Sequence, residues 1–300
     1  MIEIITAFLL NFFLGDPVYS WHPARALEAL IKRTEKVMRS LIKDAWTAGF
    51  LEALFIPFIT FIAVWFVTEV AFQIHPILKG VFVVYFIFST ISLRKLSHEA
   101  KKIASALHNG KLEVARKNLA SLIRQDIANL DQAEIVRLTV EALAKGFVSE
   151  ILTPLFYTAV GSAPLVMAYE AVKTLSLQNS RFRKFASPAK KFNQIARWAP
   201  AGISWFLIGI AAYCLNRRGF EAWRVGLDKG VGSLSDDRIS EAAFAGALGI
   251  ELGGRSKIGY SMRSIEIKDI GRASQLLKMS AWVSLVFALL LNYLIVLVFH

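Results

Sequence analysis

The chain has 300 residues, 55% of them hydrophobic by type, with 22 phenylalanines and a formal net charge of +12. Its mean hydropathy of +0.48 excludes an ordinary soluble globular domain and points to membrane embedding. The basic residues lie between apolar runs, not along one solvated face, which favours basic membrane-protein loops over nucleic-acid binding. The single cysteine, Cys214, excludes an intrachain disulfide and the Cys-based metal patterns.

Taken in chain order, the first apolar run, Ile4 to Leu14, is short and dips into a bilayer or crosses it at a tilt. Its start lacks the basic region of a signal peptide, so an uncleaved first helix is expected. It ends in Leu14-Gly15-Asp16-Pro17-Val18-Tyr19-Ser20-Trp21-His22-Pro23-Ala24-Arg25. Each proline holds the residue before it, Asp16 and His22, in an extended conformation. A stiff polar loop at a bilayer boundary is a place for a site. An interfacial turn anchored by Trp21 and locked by an Asp-to-Arg pair would use the same residues.

Membrane helices are expected over about 49–72, which contains Pro57, over about 77–93, and over about 281–299. Each is close to the roughly 20 residues that cross the hydrocarbon core. Charged residues in these spans are confined to Glu52, Glu69 and Lys79 near their ends, and no inverted repeat is visible, so a transporter is the weakest reading. Residues 94–147 read as soluble helices: one from Leu93 to the stop at Asn109-Gly110, one from Leu112, and one opened by the capping-box pattern Asp131-Gln132-Ala133-Glu134. Residues 148–170 are interrupted by Pro154, Gly161 and Pro164, and residues 198–215 by Pro200, Gly202 and Gly209. Such broken segments are often re-entrant or packed against protein. The basic run from Arg181 to Phe192 suits a membrane surface near anionic lipid. The small residues of Glu241 to Gly249 suit close helix packing, and Gly253-Gly254 would admit a phosphate only as a weak motif. The five histidines show no metal-ligand spacing. No strand pattern appears, so an all-α, multi-pass helical membrane protein is expected, with 1–300 as one domain, a soluble insertion over about 94–147 and a cytoplasmic segment over about 216–279.

Basic residues set the expected orientation. Lys and Arg number six in 25–46, ten in 94–147, seven in 171–197 and eleven in 216–279, and there are none from Gln73 to Pro76. The positive-inside bias puts the four basic stretches in the cytoplasm and the Gln73–Pro76 turn outside. Either 148–170 and 198–215 each re-enter from the cytoplasmic side, or one of them lies on the surface.

Four separated blocks carry a resemblance. They are Leu14 to Arg25; Glu134-Ile135-Val136-Arg137 through Val140-Glu141-Ala142; Thr153-Pro154-Leu155-Phe156-Tyr157; and Glu241 to Gly249 followed by Leu252-Gly253-Gly254. In this order and spacing, from about residue 10 to about residue 260, the chain resembles the CobD/CbiB family of cobalamin-biosynthesis membrane proteins. The resemblance implies a multi-pass protein of the cell membrane that joins an aminopropanol phosphate, or a related amino alcohol, to a propionate of adenosylcobyric acid as an amide. It implies ATP and Mg²⁺ as cofactors, since a carboxylate is a poor acyl donor until its oxygen is phosphorylated. Corrinoid, amino-alcohol phosphate and membrane lipid are the implied partners; no nucleic acid is expected and the oligomeric state stays open. The implied catalytic residues are Asp16, His22, Arg25, Asp126 and Glu141, expected to converge near one cavity. The implied substrate contacts are Tyr169, Asn179, Arg181 and Glu241.

The polar positions depart from the family pattern. Arg124-Gln125-Asp126-Ile127 keeps the aspartate of a Gly-Arg-Asp-Thr block and loses its arginine. In the Val-Glu-Ser-Val-Ala-Glu-Asn block Glu141 stays, but the second glutamate is Lys145 and the asparagine is Gly146; the Asp-Gly that follows is Ser149-Glu150. The Asn and Asp of an Asn-Thr-Leu-Asp-Ser-Met block are Lys173 and Ser176, paired aspartates further on are Asn193 and Gln194, and a Ser-Pro-Asn block is Leu234-Ser235-Asp236. Two outcomes are open: a synthase with a rebuilt metal site using Glu150, Asp236 and Asp237, or a catalytically lost membrane paralogue acting as scaffold or regulator.

Overall fold

The computed structural model describes residues 1–15, 23–123, 130–177, 183–230, 238–254, 257–259 and 262–299. Twelve α-helices occur among them: α1 Ile2–Leu14, α2 Pro23–Leu41, α3 Ala45–Ile74, α4 Pro76–Thr90, α5 Leu93–His108, α6 Leu112–Ile123, α7 Gln132–Phe147, α8 Thr153–Leu177, α9 Arg183–Cys214, α10 Gly219–Gly230, α11 Arg238–Leu248 and α12 Lys268–Phe299. A single π-turn, Val148–Leu152, joins α7 to α8. The extended structure among the described residues is one isolated antiparallel bridge, Leu252 to Ile258. The fold is all-α.

Five segments are long and apolar enough to cross a bilayer: Ala45–Ile74, Pro76–His108, Gln132–Leu177, Arg183–Cys214 and Lys268–Val298. Only 28% of the most apolar window of α3 and 22% of that of α12 is buried, so Phe58, Trp65, Phe66, Leu290 and Leu297 face outward, as lipid-exposed helices require. The Gln132–Leu177 window is 61% buried and packs against protein. The molecule is a multi-pass membrane protein.

The chain forms two compact units. The first holds residues 1–91, 154–197 and 287–300. In it α1 is tied to the end of α4, where Asn11 Nδ2 donates to the Ile91 carbonyl. The α3–α4 turn is made by an extended His75, whose Nδ1 accepts from the Ile77 amide at 3.2 Å, followed by Pro76 at the first helical position. Lys79 and Glu69 pair across it at 3.6 Å. α2 is amphipathic; its buried stripe, Leu27 and Ile31, lies beside Thr34, whose hydroxyl donates to the buried Glu52 at 2.6 Å.

The interruption expected in 148–170 is real. α8 is kinked at Gly161 and Ser162, and Ser162 takes φ 56°, ψ −154°. The other expected interruption is absent: α9 runs through Pro188, Pro200, Gly202 and Gly209 without a break. A proline removes one donor and one ladder bond, which a helix this long tolerates.

The second unit holds residues 92–153 and 198–286. Its first three helices begin and end where their local signals lie. Gly110, at φ 69°, follows α5, and Asp131 and Glu134 form both halves of a capping box on α7 (2.7 and 3.1 Å). Arg116 donates to the Leu130 carbonyl and ties α6 to the start of α7. α11 is buried from Ile239 to Leu248. A Cβ on Gly246 would stand 2.4 Å from the Glu221 carbonyl oxygen, so the small residues of α11 let α10 approach, and the packing reading of that run holds.

Candidate functional site

The polar architecture of the second unit starts from α7. Arg137, Glu141 and Lys145 stand four residues apart and form a plus–minus–plus stripe on one face. The tertiary fold presents partners to each. Glu141 is buried, its Oε1 accepts from the Gly253 amide at 2.7 Å, and Arg137 Nε lies 3.6 Å from the same oxygen. Lys145 Nζ lies 2.8 Å from Oε1 of Glu241, a buried carboxylate in the first turn of α11.

Beyond Gly253 the chain turns through Gly254 and returns through the Leu252–Ile258 bridge. Its return is fastened by Arg263, which donates to Asp269 at 2.5 and 2.8 Å and to the Leu248 carbonyl at 3.1 Å. Arg272 shares the fully buried Asp269 at 2.8 Å. Burial, together with the field of the Arg272 guanidinium, pulls Arg217 below the ordinary arginine value. A cavity of about 210 Å³ opens here, lined by Arg137, Glu251, Leu252, Gly254, Arg263 and their neighbours Ser264 and Ile265.

The first unit carries a second polar cluster. Tyr157 and Tyr169 stack with centroids 5.4 Å apart, and the Tyr157 hydroxyl donates to the Ala196 carbonyl at 2.8 Å. Glu170 and Lys173, both buried, pair at 2.6 Å, and Lys173 Nζ sits 6.0 Å from the Tyr169 ring centroid. One turn on, Asn193 Nδ2 donates to Ser176 Oγ at 2.9 Å.

Of the residues expected to act, Asp16, His22, Asp126, Asn179, Arg181, Asp236 and Asp237 lie outside the described residues. Arg25 is exposed on α2 and Tyr169 is buried on α8, both in the first unit. Glu141 and Glu241 are brought onto facing elements of the second unit, and Glu150 lies half-buried in the π-turn, where its carbonyl accepts from the Ser92 amide at 3.2 Å. Sequence reasoning named Arg137 and Lys145 only as positions of a family block, without a role, and missed Arg263 and Asp269. The four-residue spacing of Arg137, Glu141 and Lys145 was the one available signal.

The chain matches the family model described as CobD/Cbib protein over residues 4–283. It is 32% identical to the cobalamin biosynthesis protein CobD of Clostridium perfringens, over 97% of this chain and 98% of that one. It is 33% identical to the cobalamin biosynthesis protein CbiB of Salmonella typhimurium, over 95% and 94%. The corresponding CobD of Yersinia enterocolitica is 32% identical over 97% of both chains. The chain belongs to the CobD/CbiB family. No solved structure matches it.

The Mg²⁺ implied by the resemblance would lie near acid positions that this chain replaces, and the structure describes two of these places. At the first, the second glutamate of the family block is Lys145, and its ammonium neutralises Glu241 directly. At the second, the family's aspartate positions are Ser176 and Asn193, which make a neutral hydrogen bond to each other beside the Glu170–Lys173 pair. Neither donor set fits a divalent cation, which takes carboxylate and carbonyl oxygens and not ammonium groups. Among the described residues no three His, Cys, Asp or Glu are grouped to hold a metal.

Proposed function

We propose that this CobD/CbiB protein works in cobalamin biosynthesis at the cell membrane, forming the amide between a corrinoid carboxyl and an amino alcohol or its phosphate. The observation that carries the reading is similarity to cobalamin biosynthesis proteins over at least 95% of the chain. ATP supplies the phosphoryl group that makes the carboxyl oxygen a leaving group; the amine then replaces phosphate at the carbonyl carbon and gives up a proton. Within the second unit, Glu141 holds the glycine turn, and Arg137 lines the cavity beside it. Asp16, His22, Arg25 and Asp126 are proposed to complete the catalytic set, with Tyr169, Asn179, Arg181 and Glu241 on the substrates. No step is assigned to a bound metal.

A second reading is favoured by Lys145 and by the Ser176–Asn193 bond: a non-catalytic membrane paralogue that scaffolds or regulates. Purified protein given adenosylcobyric acid, aminopropanol phosphate, ATP and Mg²⁺ separates the two. Formation of adenosylcobinamide phosphate supports the synthase; none, under conditions in which a family member with the complete motif set is active, supports the paralogue.

A further inference from the structure

Within the second unit a cationic cluster stands where α9 ends and α12 begins. Arg217, in the turn after α9, donates from Nη2 to Oε1 of Gln275 at 2.9 Å and so ties that turn to α12. Its Nε is buried with no hydrogen-bond partner among the described residues. The fields of Arg263 and Arg272 bear on it, and Asp269 is the carboxylate in reach. Asp269 is already held by Arg263, Arg272 and the Glu266 amide, while Glu266 pairs with Lys268. Three guanidiniums share one carboxylate among the described residues, so positive charge is left over at Arg217. The adjoining side of α12 is open. Gly271, Gln275 and Lys278 are exposed and recur at helical spacing, and the stripe continues into Trp282 and Val286, 37% and 56% exposed. A Cβ on Gly271 would meet nothing. The apolar stretch of α12 opens at Ala281, so Lys278 stands about 4.5 Å and Gln275 about 9 Å before it along the helix. Tyr213 and Phe220, 73% and 72% exposed, flank the Arg217 turn.

We propose that the face formed by Arg217, Gln275 and Lys278 binds the phosphodiester headgroup of an anionic phospholipid, with Trp282 and Val286 against its acyl chains. The fork of a guanidinium matches phosphate oxygens, and a lysine one turn nearer the bilayer can run its stem along the apolar surface and keep its ammonium at headgroup level. Aromatic rings beside such basic residues mark the membrane–water boundary. The surplus positive charge selects an anionic lipid over a zwitterionic one, whose choline it would repel. An open face that runs on into the exposed apolar surface of α12 suits a headgroup anchored by its chains, not an enclosed solute.

The test is native mass spectrometry of the full chain released from detergent with phosphatidylglycerol or with phosphatidylcholine of the same acyl chains. A preference for phosphatidylglycerol is expected, reduced about fivefold by Arg217→Gln and about fivefold by Lys278→Gln, which corresponds to about 1 kcal/mol per basic residue near an anionic surface. Lys278 is exposed, so its substitution reads the contact without disturbing the fold. Arg217→Lys keeps the charge and is expected to keep most of the preference. Lys101→Gln combined with Lys117→Gln removes two exposed charges elsewhere in the unit and is expected to leave the preference unchanged. The proposal is overturned if the two lipids bind alike, if Lys278→Gln leaves the preference intact, or if the Lys101 and Lys117 changes weaken it as much. Displacement of the lipid by free glycerol 3-phosphate would make the face a site for soluble anions and overturn it. A dimer that forms in place of bound lipid and is lost in Lys278→Gln would give the face to a second copy of the chain and overturn it as well.

Discussion

Glu141 carries two jobs that a substitution series can separate. Its carboxylate accepts from Gly253 and faces Arg137, so Glu141→Ala leaves a buried amide donor and a guanidinium uncompensated and is expected to cost about 1.5–3 kcal/mol. Glu141→Gln keeps an acceptor for Gly253 and gives up only the charge facing Arg137. Thermal unfolding in detergent should therefore rank the unaltered chain above Gln and Gln above Ala. Equal losses for both variants would mean that the Gly253 bond contributes nothing. Ser162 is the opposite case, a residue in a backbone conformation that belongs to glycine. Ser162→Gly should raise stability by about 1 kcal/mol, the relief of strain outweighing the added chain entropy; a lower melting temperature would contradict that.

At the scale of elements, one departure from the family pattern read in the sequence, Lys145, lies where α7 meets α11. With lysine at 145 the buried Glu241 is neutralised internally; with a glutamate there, two carboxylates would face each other and favour a bound cation or a shared proton. Lys145→Glu should lose stability in the presence of a chelator and recover part of it with Mn²⁺, while the unaltered chain shows no such dependence. Because Lys145 is half exposed, the loss is expected to be about 1 kcal/mol, not the several typical of a deeply buried pair. A variant indifferent to Mn²⁺ would refute the idea that 145 and 241 form a latent cation site. These contacts also mark the limit of what the sequence discloses. The ends of α5 and α7 were legible because Asn109-Gly110 and the Asp131–Glu134 box act on their own backbone neighbourhood. The bond from Gly253 to Glu141 spans 112 residues, and nothing near either residue signals it. The continuity of α9 was hidden for a related reason: proline and glycine break helices by local propensity, whereas a long apolar helix keeps its ladder where no water competes for the backbone.

For the whole molecule, three of the five segments long and apolar enough to cross a bilayer were legible as composition, and the basic residues set the orientation expected of the turn between the first two. The exposed Gln73, in the last turn of α3, is the residue to label, in a Cys214→Ser background because Cys214 is exposed. A cysteine at 73 should react with an impermeant thiol reagent from outside intact cells; reaction only after the membrane is opened would invert the orientation. The central claim is corrinoid amide formation, and its most direct measurement is growth of a bacterium that lacks its own CobD/CbiB protein and depends on cobalamin. Supplied with this chain and with cobyric acid, such cells are expected to grow as they do on cobinamide. Growth on cobinamide but not on cobyric acid, with the protein present in the membrane, would contradict it.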